Sequence, residues 1–381
     1  MLRVAFKMLF HDRAKFLALI IGIAFSALLI SQQSAIFDSV LEQAVQPIRA
    51  VPEAEVWVLK NGVEVLDECE IMPEACLYRV RSVRETAKAV PYYMGIATLK
   101  STCGRSKSVQ FVSCDGMMPL AAPSDNMLEG SPEILARPGA AIMDMPGFHQ
   151  LFPGREPIPG MKVEVNGQRL SLDGFCKVPP NWSGLPIMFV SMKTAGDIMN
   201  SETMPMGAIL VKPVTGYSAE STAAAIREKT GLQALTAEDF ARRTIEWVVD
   251  NTGVAENFGV TIILGIIIGV AIVGQTFYLF SVENIKQFAA MKAIGVGNPR
   301  ILAMIVFQAI YVAVIGYSLG IGCANVFFAV VNPGNGGMRG MFMSCWILAG
   351  TGAFIVVITL VACLFCVRKV LTVDPAEVFR S

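Results

Sequence analysis

Charge is scarce in this chain. Of its 381 residues only 16% are Asp, Glu, Lys or Arg, and 54% are hydrophobic. Soluble domains average about 25% charged residues. The shortage is concentrated in continuous runs. No charge falls from Phe16 to Phe37, between Glu256 and Glu283, from Ile301 to Met338, or from Gly340 to Val367. Crossing a ~30 Å hydrocarbon core takes about 20 helical residues, so each run is long enough to span a membrane. The lack of any acid or base within the runs argues against a proton- or ion-coupled carrier. Histidine is nearly missing too, with only His11 and His149. Topology sets these two on opposite sides of the membrane, which excludes a His-based triad or a multi-histidine metal site in one chain. No Gly-Lys pair occurs, so no G-x-x-x-x-G-K-[ST] phosphate cradle exists. If ATP drives this protein, another polypeptide binds it. No basic patch interleaved with aromatics supports nucleic-acid binding.

The fold class expected is an α-helical membrane protein with four transmembrane helices and a large α+β extracytoplasmic domain between spans one and two. Residues 1–15 form a cytosolic amphipathic segment, with Arg3, Lys7 and His11 on one stripe and Leu2, Phe6, Leu9 and Phe10 opposite. A plain basic flank that orients the first span is the alternative. Span one is 16–37, too long for the 7–15 residues of a signal-peptide core. Residues 38–257 are the external domain with its stalk, 258–281 span two, 282–300 a cytosolic loop and 301–331 span three. A short outer loop covers 332–341, span four 342–367 and a cytosolic tail 368–381. Lys and Arg dominate the two termini and the short 282–300 loop, which the positive-inside rule puts in the cytosol.

In the external domain, 54–60, 93–100, 108–114, 161–178, 187–192 and 207–213 read as strands, rich in Val, Ile and Phe. Asn166-Gly167 is a hairpin turn. Helices are expected at 80–89, 192–200, 218–230 and 236–250. The last opens on Thr236 with Asp239 three residues on, a capping signal. An inserted β-rich subdomain is placed at about 115–205. Cys69 and Cys76 close a short loop across Pro73 in a compartment where disulfides persist, and are a candidate pair. Cys103 and Cys114 are too far apart along a hairpin to pair well.

Several motifs compete with plainer readings. Gly316-Tyr317-Ser318-Leu319-Gly320 matches G-x-S-x-G, but inside a span it reads as helix packing, not a nucleophile elbow. Cys363-x-x-Cys366 lies in a span as well, away from any βαβ unit. Gly265-x-x-x-Gly269 is either a dimer face or packing within one bundle. Ala18, Gly22 and Ser26 share the four-residue spacing of close helix approach. Gln275, Gln308 and Asn325 are the polar exceptions within spans and read as interhelical hydrogen-bonding groups. No catalytic residues and no metal ligands are assigned.

The loop from Glu283 reads ENIKQFAAMKAIGVGNPR. Its helical part puts Ile285, Phe288, Ala289 and Ile294 near one side, and Gly295, Gly297 and Pro299 end it. The run KQFAAMKAIGV, the tail VDPAEVF and the first span GIAFSALLISQQSAIFDSV resemble FtsX/MacB-type ABC transporter permeases, most of all the DevC type. In that family the loop between spans two and three is a coupling helix that contacts the ATPase. The resemblance implies coupling residues Glu283, Lys286, Phe288, Ala289, Met291, Lys292, Ala293 and Gly295, with Phe288 and Met291 inserted in an ATPase groove. It implies a homodimer in the bacterial inner membrane, in contact with membrane lipid, with both termini cytosolic. It implies no cofactor in this chain, ATP and Mg being bound by a partner cytosolic ABC ATPase. Further partners implied are a membrane-fusion (adaptor) protein and an outer-membrane duct. The activity implied is export of a lipid, glycolipid, drug or peptide by mechanical transmission. The alternative is an FtsX-like regulator of a periplasmic cell-wall hydrolase.

Overall fold

The computed structural model describes residues 6–8, 10, 13–100, 106–115, 121–201, 204–332 and 339–371. Most of the amphipathic segment, Cys103, residues 333–338 of the expected outer loop and the tail from 372, with VDPAEVF, lie outside them. In chain order the elements are α1 (Arg13–Arg49), β1 (Val56–Leu59), α2 (Glu74–Arg81), β2 (Thr86–Lys100), β3 (Ser106–Cys114), β4 (Met127–Glu129), β5 (Ala140–Asp144), α3 (Met145–Leu151), β6 (Met161–Val165) and β7 (Gln168–Cys176). Then follow β8 (Ile187–Ser191), α4 (Met192–Met199), β9 (Ala208–Pro213), α5 (Ala219–Thr230), β10 (Gln233–Thr236) and α6 (Ala237–Asn251). The last four are α7 (Val254–Glu283), α8 (Ile285–Ala293), α9 (Asn298–Val331) and α10 (Cys345–Leu371). The chain divides into two units, 1–39 with 254–332 and 341–381, and 40–253 with 333–340.

The first unit is helical. Segments of α1, α7, α9 and α10 are long and apolar enough to cross a membrane. At 37 residues α1 is about 55 Å long, so it outruns a hydrocarbon core and continues past it. Small residues set the helix contacts. A methyl group added at Gly320 would lie 2.5 Å from the Ala24 carbonyl oxygen and 2.8 Å from the Ala27 Cβ. One added at Gly316 would meet Ile23 at 2.7 Å. The G-x-S-x-G stretch is therefore a packing surface against α1. Gly265 and Gly269 face Leu29, Ile30 and Ser26 of the same chain, which resolves that pair as packing within the bundle. Ser31, Thr276, Ser318, Thr351 and Thr359 each donate to the carbonyl four residues earlier. Their hydroxyls are thus satisfied inside their own helices, as a span without water requires. Tyr317 Oη donates to the Leu348 carbonyl at 2.5 Å and ties α9 to α10.

The second unit is α+β. Its strands run in the order β10-β1-β9-β2-β3-β8-β5-β7-β4, and β6 bridges β2 and β7. One strand belongs to two neighbourhoods. The first half of β2 pairs with β9 through Tyr92↔Ala208. Its second half pairs with β3 from Tyr93↔Ser113 to Lys100↔Ser106. The β-rich insert therefore begins near 93, not 115, because β3 and half of β2 pair within it. The expected helix at 80–89 is also displaced. The helix is α2, and Thr86 onward is already strand because β9 supplies its ladder partners. Asn166 (φ 46°) and Gly167 (φ 86°) turn β6 into β7 with both residues left-handed, as a two-residue hairpin needs. Thr236 caps α6, accepting from Asp239 N at 3.1 Å.

Three clusters of buried apolar side chains fill the unit. Trp57, Tyr92 and Phe240 centre the first, Phe111, Phe148 and Phe175 the second, and Val58, Leu77, Val80 and Ile226 the third. Cys69 and Cys76 are both free thiols, so the proposed disulfide is not formed. Cys69 packs against the first cluster and Cys76 against the third. The loop across Pro73 thus sends the two side chains to different cores. Burial, with Asp67 and Glu68 nearby, pushes the Cys69 thiol up to about 12, which leaves it inert at neutral pH.

Candidate functional site: the short helix between spans two and three

The loop is built as a helix held between two longer ones. Asn284 leaves helical geometry (φ −89°, ψ 12°) and separates α7 from α8. At the other end Gly295 takes φ 91°. Its N–H reaches the Lys292 carbonyl at 3.0 Å, and Val296 N–H reaches Met291 at 3.0 Å. This is the paired closure of a Schellman motif, and glycine's freedom at φ > 0 allows it. Gly297 then precedes α9, with Pro299 in its first turn. The segment is therefore a nine-residue helix with a defined stop at each end.

Its two faces have opposite fates. Phe288 and Ala289 are fully buried, and Phe288 shares one cluster with Met8, Ile301, Met304 and Ile305. Met291 and Val296 pack against that cluster. Phe288 is therefore not presented outward for a partner's groove. It anchors α8 to the base of its own bundle, and Met291 is half-buried beside it. Burying a Phe side chain contributes ~1.5–3 kcal/mol, enough to fix so short a helix. The sequence pattern shows that α8 has an apolar side, but not what covers it.

The outward face is Lys286, Gln287, Ala290, Ala293 and Ile294, all exposed at helical spacing. Ile294, assigned from sequence to the same side as Phe288, instead stands 81% exposed at the helix end. Ala293 and Gly295 keep this surface low enough for another backbone to approach. Glu283 forms an ion pair with Lys15, which joins the end of α7 to the start of α1. Glu283 thus orients the bundle's base, and Lys292 lies on the half-buried side. Among the described residues no group of three or more His, Cys, Asp or Glu is placed to hold a metal ion.

Residues 259–375 match the family described as FtsX-like permease C-terminal. The matched stretch, similar to that domain, contains α8 with most of α7 and all of α9. Curated relatives include an "Uncharacterized ABC transporter permease" of Mycobacterium tuberculosis (strain ATCC 25618 / H37Rv), 31% identical over 113 residues, 30% of this chain and 31% of that one. One from Mycobacterium bovis (strain ATCC BAA-935 / AF2122/97) is 32% identical over 113 residues, with the same coverage. The match thus takes in about a third of the length of each. Two solved structures are each similar to about half of the chain. The periplasmic region of MacB from Actinobacillus actinomycetemcomitans is 11% identical, covers 54% of this chain and 96% of its own, and has a TM-score of 0.36. The extracellular domain of the ABC-type transporter YknZ from Gram-positive bacteria is 15% identical, with coverages of 48% and 98% and a TM-score of 0.34. Likeness this loose assigns nothing.

Proposed function

We propose that the chain is the permease subunit of an ABC transporter in a bacterial inner membrane, driven by a separate cytosolic ATPase that binds ATP and Mg. One observation carries the reading: the stretch similar to the FtsX-like permease domain holds a capped helix between two spans, with one face anchored and the other bare. A push on the bare face would pass through Phe288 into α9 and through Glu283–Lys15 into α1. On this reading α8 is the coupling helix and lies in the cytosol with both termini, while 40–253 lies outside. The chain acts as a homodimer and exports a lipid, glycolipid, drug or peptide, with an adaptor protein and an outer-membrane duct as further partners.

The contact surface follows the bare face: Ile294 as its apolar anchor, Lys286 and Gln287 as its polar rim, and Ala290 and Ala293 as points of close approach. Losing a central apolar anchor costs ~2 kcal/mol, roughly thirtyfold in affinity. Ile294→Asp is expected to insert and fold normally but to lose the ATPase on co-purification. Phe288→Asp, which puts a charge into the bundle, should lose folded protein altogether. Normal ATPase recovery with Ile294→Asp would overturn the assignment of this face.

A further inference from the structure

The amides Gln275, Gln308 and Asn325 interrupt the apolar spans, and they come to different surroundings. Gln308 is 1% exposed, inside the bundle. Asn325 is exposed but lies six residues before α9 ends at Val331, about 9 Å along the axis, where headgroups and water come within reach. Gln275 is exposed as well, and it is far from either end of its span. It stands eight residues before Glu283 and nineteen after Glu256, about 12 and 28 Å along the helix. Helical side chains lean towards the N-terminus of their helix, so the Gln275 side chain is set away from the nearer end of α7 and towards the middle of the span. Among the described residues it makes no hydrogen bond.

Lipid tails offer such an amide neither donor nor acceptor, so facing them leaves its hydrogen bonds unmade. The helix surface around it is shaped for a close neighbour. Leu264, Ile267, Ala271, Gly274 and Tyr278 follow the alternating three- and four-residue spacing of a helix-packing seam. Gln275 stands beside the lowest part of that seam. Ala271 is exposed, and a methyl added at Gly274 would meet nothing within 4 Å. Gly265 and Gly269, on another side of α7, already lie against Leu29, Ile30 and Ser26 of α1. The second low stretch on the same helix is left open.

We infer that this face of α7 packs against the same face of a second copy of the chain, with the two Gln275 amides hydrogen-bonded to each other. Two copies insert with one orientation, so the two-fold axis that relates them stands along the membrane normal. A residue beside that axis meets its own counterpart at equal depth, and must be self-complementary. A carboxamide carries both donor and acceptor and pairs with itself, which an ammonium or an alkyl group cannot do. Ala271 and Gly274 let the two backbones come close enough for the amides to reach. A purely apolar span of another protein would fit the seam but leave the amide unpaired. The inference rests on the homodimer reading above, to which it adds a contact face.

The test counts photobleaching steps of the full chain, carrying one fluorophore, in liposomes over a series of protein-to-lipid ratios. Wild type is expected to show two steps at high density and one at low. Gln275→Leu should move the midpoint about tenfold upwards, the worth of two hydrogen bonds in lipid. Gln275→Asn keeps a self-pairing amide and should stay within about threefold of wild type. Ala271→Leu fills the low place and should weaken pairing at least as much as Gln275→Leu. Both positions are exposed on the bundle, so all three variants should keep the wild-type unfolding midpoint. Equal pairing of wild type and Gln275→Leu would overturn this face and leave a homodimer joined elsewhere. An Asn variant as weak as the Leu variant would overturn the amide pairing. A wild-type chain that stays single at every density would overturn the face and the homodimer together. None of these outcomes touches the ATPase contact, which the Ile294 experiment decides.

Discussion

In the helical unit the closest contacts belong to the smallest residues. Gly22, Gly265, Gly269, Gly316 and Gly320 sit where helices touch, while Val260, Ile263, Leu264 and Ile267 stand exposed on α7. In the sheet unit aromatic rings carry more of the core, with Trp57, Phe111, Phe148, Phe175 and Phe240 fully buried against Phe277 and Phe288 in the helical unit. The difference follows from the solvent. Water drives large apolar groups inward, but lipid tails are as apolar as leucine and do not. What holds a bundle in lipid is close backbone approach and satisfied polar groups. In the first unit, then, glycines set how closely the helices approach.

The largest effect is expected where that approach is tightest. Gly320→Leu forces side-chain atoms into the Ala24 carbonyl and should abolish the monodisperse protein peak on size-exclusion chromatography. Gly322→Leu, on the same helix with nothing within 4 Å of an added methyl, should leave the peak unchanged. If both behaved alike, glycine would not be the organising residue of the bundle.

The sheet unit breaks differently, through a buried charge. Asp144 is fully buried and caps α3, accepting from Gly147 N at 3.0 Å and Ile187 N at 2.7 Å. Arg339, ahead of α10, donates to it at 3.0 Å. Burial raises the Asp144 carboxyl above its usual range despite Arg339 and the two N–H groups. A raised carboxyl pKa means the folded state takes up a proton more readily than the unfolded chain. The ionised form therefore opposes folding, increasingly as pH rises through the folded pKa. Removing the guanidinium raises that pKa further. Arg339→Ala should cost about 3 kcal/mol near neutral pH, and the loss should shrink as pH falls towards the carboxylate range. Thermal unfolding of the full chain at several pH values reads both effects. A loss independent of pH would mean that Arg339 acts through packing alone.

The smallest effect is local. Thr236→Ala removes the α6 cap and should cost about 1 kcal/mol, a few degrees in the unfolding midpoint, without altering ATPase binding.

Much of this was legible in the sequence where pattern and environment agree. Asn166-Gly167, Thr236 with Asp239, and the four charge-free runs each carry a local physical signal. The misses fall where local signals are silent. β5 reads AAIMD and is buried on both faces, so no alternation marks it. Pro146 and Gly147 obscure α3, whose start is supplied by the Asp144 cap. The stretch from Thr86 is strand only because β9 lies beside it. At the candidate site, the helix and its glycine stop were readable from residues 283–297. The covered face was not, since Met8 comes from the far end of the chain and Ile301 and Ile305 reach Phe288 only when the chain folds back at Gly295 into α9.

The shared strand β2 sets a timetable for the newborn chain. Its second half meets β3 within a few residues, so that hairpin closes early. Its first half must wait for β9, which leaves the ribosome only after the whole insert has been made. Meanwhile the backbone from Thr86 to Tyr92 has an open edge, the kind of surface that recruits a stray strand from another molecule. A ribosome stalled before Ala208 would hold the protein in that exposed condition.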